Sequence, residues 1–144
     1  MKTRHLILLA SILMQCTNTG NRIPAPEDLY TEAGFAVIST YFNPTVQTTS
    51  ILFGNAAACE SAAGGYAKHN IGEDYCLVTW SQHGNPLWFG GYINGSIKSI
   101  EQITSLQTGD SVVFDYRMAQ GKIAGISKEQ RIAQIFSLKP LMFP

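Results

Sequence analysis

Charge is scarce in this sequence, and it never gathers. Ten basic and ten acidic side chains amount to 14% of the chain and cancel to a formal net charge of zero. Without a block of Lys and Arg there is no footprint for neutralising phosphates, which argues against a nucleic-acid partner. Long apolar runs are missing as well. The longest, Leu6 to Met14, holds about nine residues, well short of the roughly 20 that cross a bilayer. Signature motifs of catalysis are lacking too: the chain has no Gly-rich phosphate loop, no G-x-S-x-G elbow, no H-E-x-x-H and no C-x-x-C pair. Histidine occurs three times, at His5, His69 and His83. The last two are too far apart to form a metal-binding signature by spacing. Glu60, Glu73, Asp74, Glu101 and Asp115 are available for acid/base work, but nothing in the sequence pairs them.

What is present begins with an export leader. A short basic head, Met1-Lys2-Thr3-Arg4-His5, precedes the apolar run, the arrangement of a secretory signal that is removed after export. The run ends at Leu13-Met14-Gln15-Cys16, and the chain then turns polar. A cysteine in that place resembles a lipobox, in which Cys16 takes the lipid and becomes the first residue, although Gln15 stands where such a motif has a small residue. The plainer alternative is an ordinary signal cleaved nearby, with Cys16 incidental. The expectation is a lipid-anchored protein on the periplasmic side of a bacterial envelope, with residues 1–15 as signal peptide, 16–33 as tether and 34–144 as one domain. Losing Lys2 and Arg4 leaves a slightly acidic chain of about 130 residues, one domain by length. Its partner would be the membrane, through the N-terminal lipid.

Beyond the leader two cysteines remain, Cys59 and Cys76. In an oxidising compartment they could form a disulfide, or they could be buried thiols acting as small hydrophobes. Spacing does not decide, because it does not show whether the side chains meet.

The domain reads as short strands with a few helices. Glu27 to Gly34 suggests a short helix. Phe35 to Phe42 and Gln47 to Phe53 are β-branched and aromatic, with a turn at Asn43-Pro44. Ala56 to Ala63 is a small-residue helix, with Asn55 as N-cap and Gly64-Gly65 as terminator. Glu73 to Trp80 is a central strand stopped by Gly84-Asn85-Pro86. Ser99 to Leu106 and Ser111 to Met118 are further strands, the second preceded by a turn at Thr108-Gly109-Asp110. Ser127 opens a capping box with Gln130, and Ile132, Ile135, Phe136 and Leu138 recur at helical spacing until Pro140. This order predicts an α+β domain, an antiparallel β-sheet with a few packed helices.

Tyr75, Trp80, Trp88, Phe89 and Tyr92 fall in one region beside Gly90 and Gly91. They could wall a pocket for a flat ligand or simply fill the core of a small sheet. An enzyme would place such a pocket around Trp88 to Gly95 and draw on His69 or His83 for proton transfer. A structural lipoprotein would instead expose an apolar patch to dock a partner.

Three segments together resemble the cytochrome P-460 family: Ile51-Leu52-Phe53-Gly54-Asn55-Ala56, Tyr75-Cys76-Leu77-Val78-Thr79-Trp80, and Trp88-Phe89-Gly90-Gly91-Tyr92-Ile93-Asn94-Gly95-Ser96-Ile97-Lys98-Ser99-Ile100-Glu101. They are similar to its "LYGND" helix entry, its "LVTW" strand and its "WFGA-IPG-KSVE" segment. The resemblance implies a periplasmic domain with a large antiparallel sheet and packed helices. Better-known members carry a covalent c-type haem, and some oxidise hydroxylamine or bind nitric oxide. The attachment motif C-x-x-C-H does not occur in this chain, which rules out haem bound in the c-type manner, and the strand Tyr75 to Trp80 has no lysine that could cross-link one. Noncovalent haem would have to use His69, His83, Met118 or Met142. The expectation is a member without a cofactor that acts as a binding or interaction module.

Overall fold

The computed structural model describes residues 28–122 and 125–139. The leader, Cys16, the tether through residue 27 and Met142 lie outside the described residues. Five strands form one antiparallel sheet: β1 Ala36–Asn43, β2 Thr48–Gly54, β3 Asp74–Gly84, β4 Tyr92–Thr108 and β5 Ser111–Gln120. Their order across the sheet is their order in the sequence. Helix α1, Ala56–Ala63, joins β2 to β3, and α2, Lys128–Phe136, follows β5. The domain is thus α+β and mostly strand.

The period-2 alternation of a strand explains how the sheet is covered on both sides. Along β3, Tyr75 and Leu77 join Ile38, Leu52, Ile103 and Tyr116 on one face, beneath Ala58 and Ala62 of α1 and Ile135 of α2. Cys76, Val78 and Trp80 face the other way, against Ile51, Phe53, Ile97 and Ile100 of neighbouring strands and against Tyr30 and Phe35. A strand buried on both sides has no polar face, hence the unbroken apolar run at Tyr75 to Val78.

Both helices form where their caps lie. The Asn55 side chain accepts from the Ala58 N–H at 2.9 Å, and Gly64 closes α1. Ser127 and Gln130 complete the capping box of α2. Helix α1 sits close to the sheet because Gly54 has no side chain. A β-carbon there would lie 2.5 Å from Ile38 Cδ1 and 2.8 Å from Ala58 Cβ.

Two expectations are corrected. Asp28 to Gly34 forms no helix. The Trp80 indole donates to the Asp28 carbonyl at 2.7 Å, the Asp28 N–H reaches Gly95 O at 3.3 Å, and the Ile97 N–H donates to Asp28 Oδ2 at 3.0 Å. These bonds tie Asp28 to β3 and β4, so the part of the expected tether from Asp28 onward belongs to the domain. The glycine-rich stretch and the strand after it are also not separate, since β4 runs 17 residues through Gly95. Gly95 leaves room for the His83 ring of the paired strand, whose Cδ2 would lie 2.2 Å from a β-carbon at that position.

Candidate functional site

A cleft of about 730 Å³ lies on the helix-covered face. Its floor is the sheet, where Ser50 and Thr79 share a hydrogen bond of 2.8 Å and Leu77 and Ser99 lie alongside. Tyr41, Val46, Met118, Ile126 and Leu138 supply apolar walls, and Arg131, Gln134 and Ile135 bring in one side of α2. Ser39 Oγ donates to the Lys139 carbonyl at 2.7 Å, so the segment after α2 is tied back to β1. The volume suits an organic ligand of moderate size.

One charged group is buried at the wall. Glu101 is 2% exposed and accepts from Arg131 at both oxygens, Nε to Oε2 and Nη2 to Oε1, each at 2.7 Å; the Tyr116 hydroxyl also donates to Oε2 at 2.7 Å. This fork geometry suits a planar guanidinium and a carboxylate. The hydrogen bonds to Glu101 raise the Arg131 pKa above its ordinary value. Burial, then the bond to Glu101, raises that of the Tyr116 phenol. The pair cancels itself, which leaves Lys122 and Lys139, neither in an ion pair among the described residues, as the cations of the cleft.

A second polar cluster sits at the other end of the sheet. Glu73 is fully buried; its Oε2 takes His69 Nδ1 at 2.8 Å and the Tyr75 hydroxyl at 2.9 Å, and its Oε1 takes the Asn70 N–H. The His69 ring is packed against Tyr66, Phe114 and Phe136, with centroids at 6.0, 4.7 and 5.0 Å. Ser61 Oγ also approaches His69, at 3.3 Å, but at the same Nδ1 that Glu73 uses. A nucleophilic relay needs hydroxyl and carboxylate on opposite ring nitrogens. Ser61 moreover donates to the Lys68 carbonyl at 2.9 Å. The cluster is therefore built to hold the α1–β3 connection. Tyr66, whose pKa burial pushes up to about 12, has a buried hydroxyl with no hydrogen-bond partner among the described residues.

The candidates drawn from the sequence are dispersed. Tyr75 and Trp80 are buried on opposite faces of β3, while Trp88 and Phe89 project from the β3–β4 loop and Tyr92 is exposed at the start of β4. These five do not wall a common pocket. Cys59 packs on the helix side and Cys76 on the opposite face, so of the two alternatives the disulfide does not form; both thiols are free and burial raises the pKa of each. Cys76 Sγ instead lies 3.1 Å from the Tyr30 hydroxyl. Neither His69 nor His83 lines the cleft, whereas Met118 does. The sequence reading missed Arg131 altogether and left Glu101 without a partner. Its available clue was a Glu on the inward parity of β4, with Ile103 and Ser105, facing an Arg one turn before Ile135 on α2.

Compared with known proteins, the chain matches no family model and no curated protein. The residues also do not fit a haem attached in the c-type manner. Neither described cysteine belongs to a C-x-x-C-H motif, the two lie on opposite faces, and no histidine or cysteine is among the residues of the cleft.

Proposed function

We propose that this is a lipid-anchored binding module of a bacterial envelope, on the periplasmic side, with a haem-less cytochrome P-460-like domain that takes a small amphipathic anion. The export leader and Cys16 support the address, and the three motif segments support the family resemblance. The observation that carries the binding role is the cleft: apolar walls, a hydroxyl floor, and Lys122 and Lys139 free of any ion pair among the described residues. An apolar body would bury against Met118 and Leu138 while an anionic head meets the lysines.

Titration calorimetry with dodecanoate and with dodecylamine tests this reading. Dodecanoate is expected to bind one to one, and Met118→Trp, which fills the cleft, is expected to weaken it at least tenfold. Preference for the amine, or binding indifferent to Met118→Trp, overturns the assignment. The anchor is tested by the mass of the N-terminal residue of exported protein, where an unmodified N-terminus beyond Cys16 rules out lipid attachment. Absorbance of protein from a haem-competent host is expected to show no Soret band, and stoichiometric haem would sink the haem-less reading.

A further inference from the structure

One end of the sheet carries apolar side chains outward. At the β3–β4 loop, Leu87, Trp88 and Phe89 are 85%, 74% and 103% exposed. The β1–β2 turn lies at the same end: the Gln82 N–H donates to Gln47 O at 2.9 Å, and the Phe42 and Tyr92 rings sit 6.4 Å apart. Exposed Phe42, Val46 and Tyr92 thus adjoin the loop to make a single apolar end.

Floppiness does not account for this exposure. The loop closes its own backbone, with Asn85 N–H to Gly91 O at 2.8 Å, Gly91 N–H to Trp88 O at 3.0 Å and Leu87 N–H to Asn85 Oδ1 at 2.9 Å. Gly90 takes the left-handed turn with φ +77°. The side chains are held outward by a backbone that is already satisfied. The end is also free of Asp, Glu, Lys and Arg. None occurs between Glu32 and Glu60 or between Asp74 and Lys98, the two stretches that build both hairpins, where His83 is the one basic side chain.

Neutral, aromatic and apolar, with Trp and Tyr at its margin, this composition fits the headgroup boundary of a bilayer, where amphipathic rings collect. A protein partner would more often be met with charge at the rim. Chain entry agrees. Asp28 is pinned to Trp80, Gly95 and Ile97, at the base of the β3–β4 arm, and residues 17–27 span at most about 40 Å when extended. A lipid on Cys16 would keep the arm within reach of the membrane.

We propose that this end, led by Leu87, Trp88 and Phe89, docks in the interface of a lipid bilayer as a second membrane contact. The anchored reading supplies only the orientation; docking itself needs no N-terminal lipid. The test therefore uses unlipidated residues 17–144, which hold every residue of both apolar clusters, with phosphatidylcholine vesicles.

Trp80 is buried, so a change in indole emission reports Trp88. Adding vesicles is expected to shift the emission to the blue, bromine on the upper acyl chain is expected to quench it, and binding should persist at high salt. Trp88→Ser with Phe89→Ser is expected to weaken vesicle binding by at least tenfold, on the order of one buried ring, with circular dichroism unchanged. Absence of a shift, binding that high salt abolishes, or equal binding by the double variant overturns the proposal. So does sedimentation showing that the same residues drive self-association while vesicles are ignored. A missing lipid on Cys16 would defeat the anchor and leave this result standing.

Discussion

The two ends of the sheet invert each other. At the end where β3 begins, a carboxylate is fully buried and hydrogen-bonded at both oxygens; at the opposite end, rings and aliphatic chains stand in solvent with no Asp, Glu, Lys or Arg among them. Burying an ion is costly unless it is paired and hydrogen-bonded, and exposing a contiguous apolar patch is unusual unless something covers it. The first end accordingly concerns the protein's own stability, and the second concerns what it meets. The cleft lies between them and shares Val46 with the apolar end.

Substitutions that separate the two ends should follow that division. Glu73→Ala strands the Tyr75 hydroxyl, His69 and the Asn70 N–H, and is expected to lower unfolding free energy by about 3–5 kcal/mol in urea titration. Arg131→Ala leaves Glu101 without its cation and loosens α2. Because Arg131 is partly exposed, the expected loss is smaller, about 2–3 kcal/mol, with weaker dodecanoate binding. Gly54→Ala forces α1 off the sheet at a cost of about 1–3 kcal/mol. The paired change Trp88→Ser and Phe89→Ser is expected to stay within about 0.5 kcal/mol of the parent while vesicle binding weakens. Similar stability losses at both ends would break the comparison.

Alkali probes the hydrogen-bonded side. Burial raises the phenols of Tyr66, to about 12, and of Tyr75 and Tyr116. An unfolded tyrosine loses its proton near pH 10, so above that pH the unfolded chain binds fewer protons than the folded one and stability falls as pH rises. The expected outcome is cooperative unfolding between about pH 10 and 12, read by tyrosinate absorbance. In Tyr66→Phe the drop should be shallower, and at neutral pH that variant should match or exceed the parent, since the hydroxyl it loses has no partner.

Much of this fold is written locally. The Asn55 cap and the Ser127–Gln130 box mark both helices, and the apolar run at Tyr75 to Val78 marks the doubly covered strand. Gly95 belongs to a glycine-rich stretch whose composition allows close approach of another group, but which group approaches, the His83 ring of the paired strand, depends on register. The grouping of Tyr75 with Trp80 went wrong for a simpler reason: positions of unlike parity on one strand face opposite ways, which was readable. Exposure of Trp88 and Phe89 was not, because it follows from where a loop projects rather than from composition. The Glu101–Arg131 pair joins residues 30 positions apart, and local pattern says little about such distances.

Strand order carries a consequence for how the chain assembles. Each strand pairs with the one before it in sequence, so the sheet can grow neighbour by neighbour, with α1 carried in the one longer connection between β2 and β3. Glu101 belongs to β4 and is laid into that growing sheet before Arg131, which follows on α2, can reach it. Until α2 docks, the carboxylate must stay hydrated, so the last helix closes the fold by sealing in an ion pair.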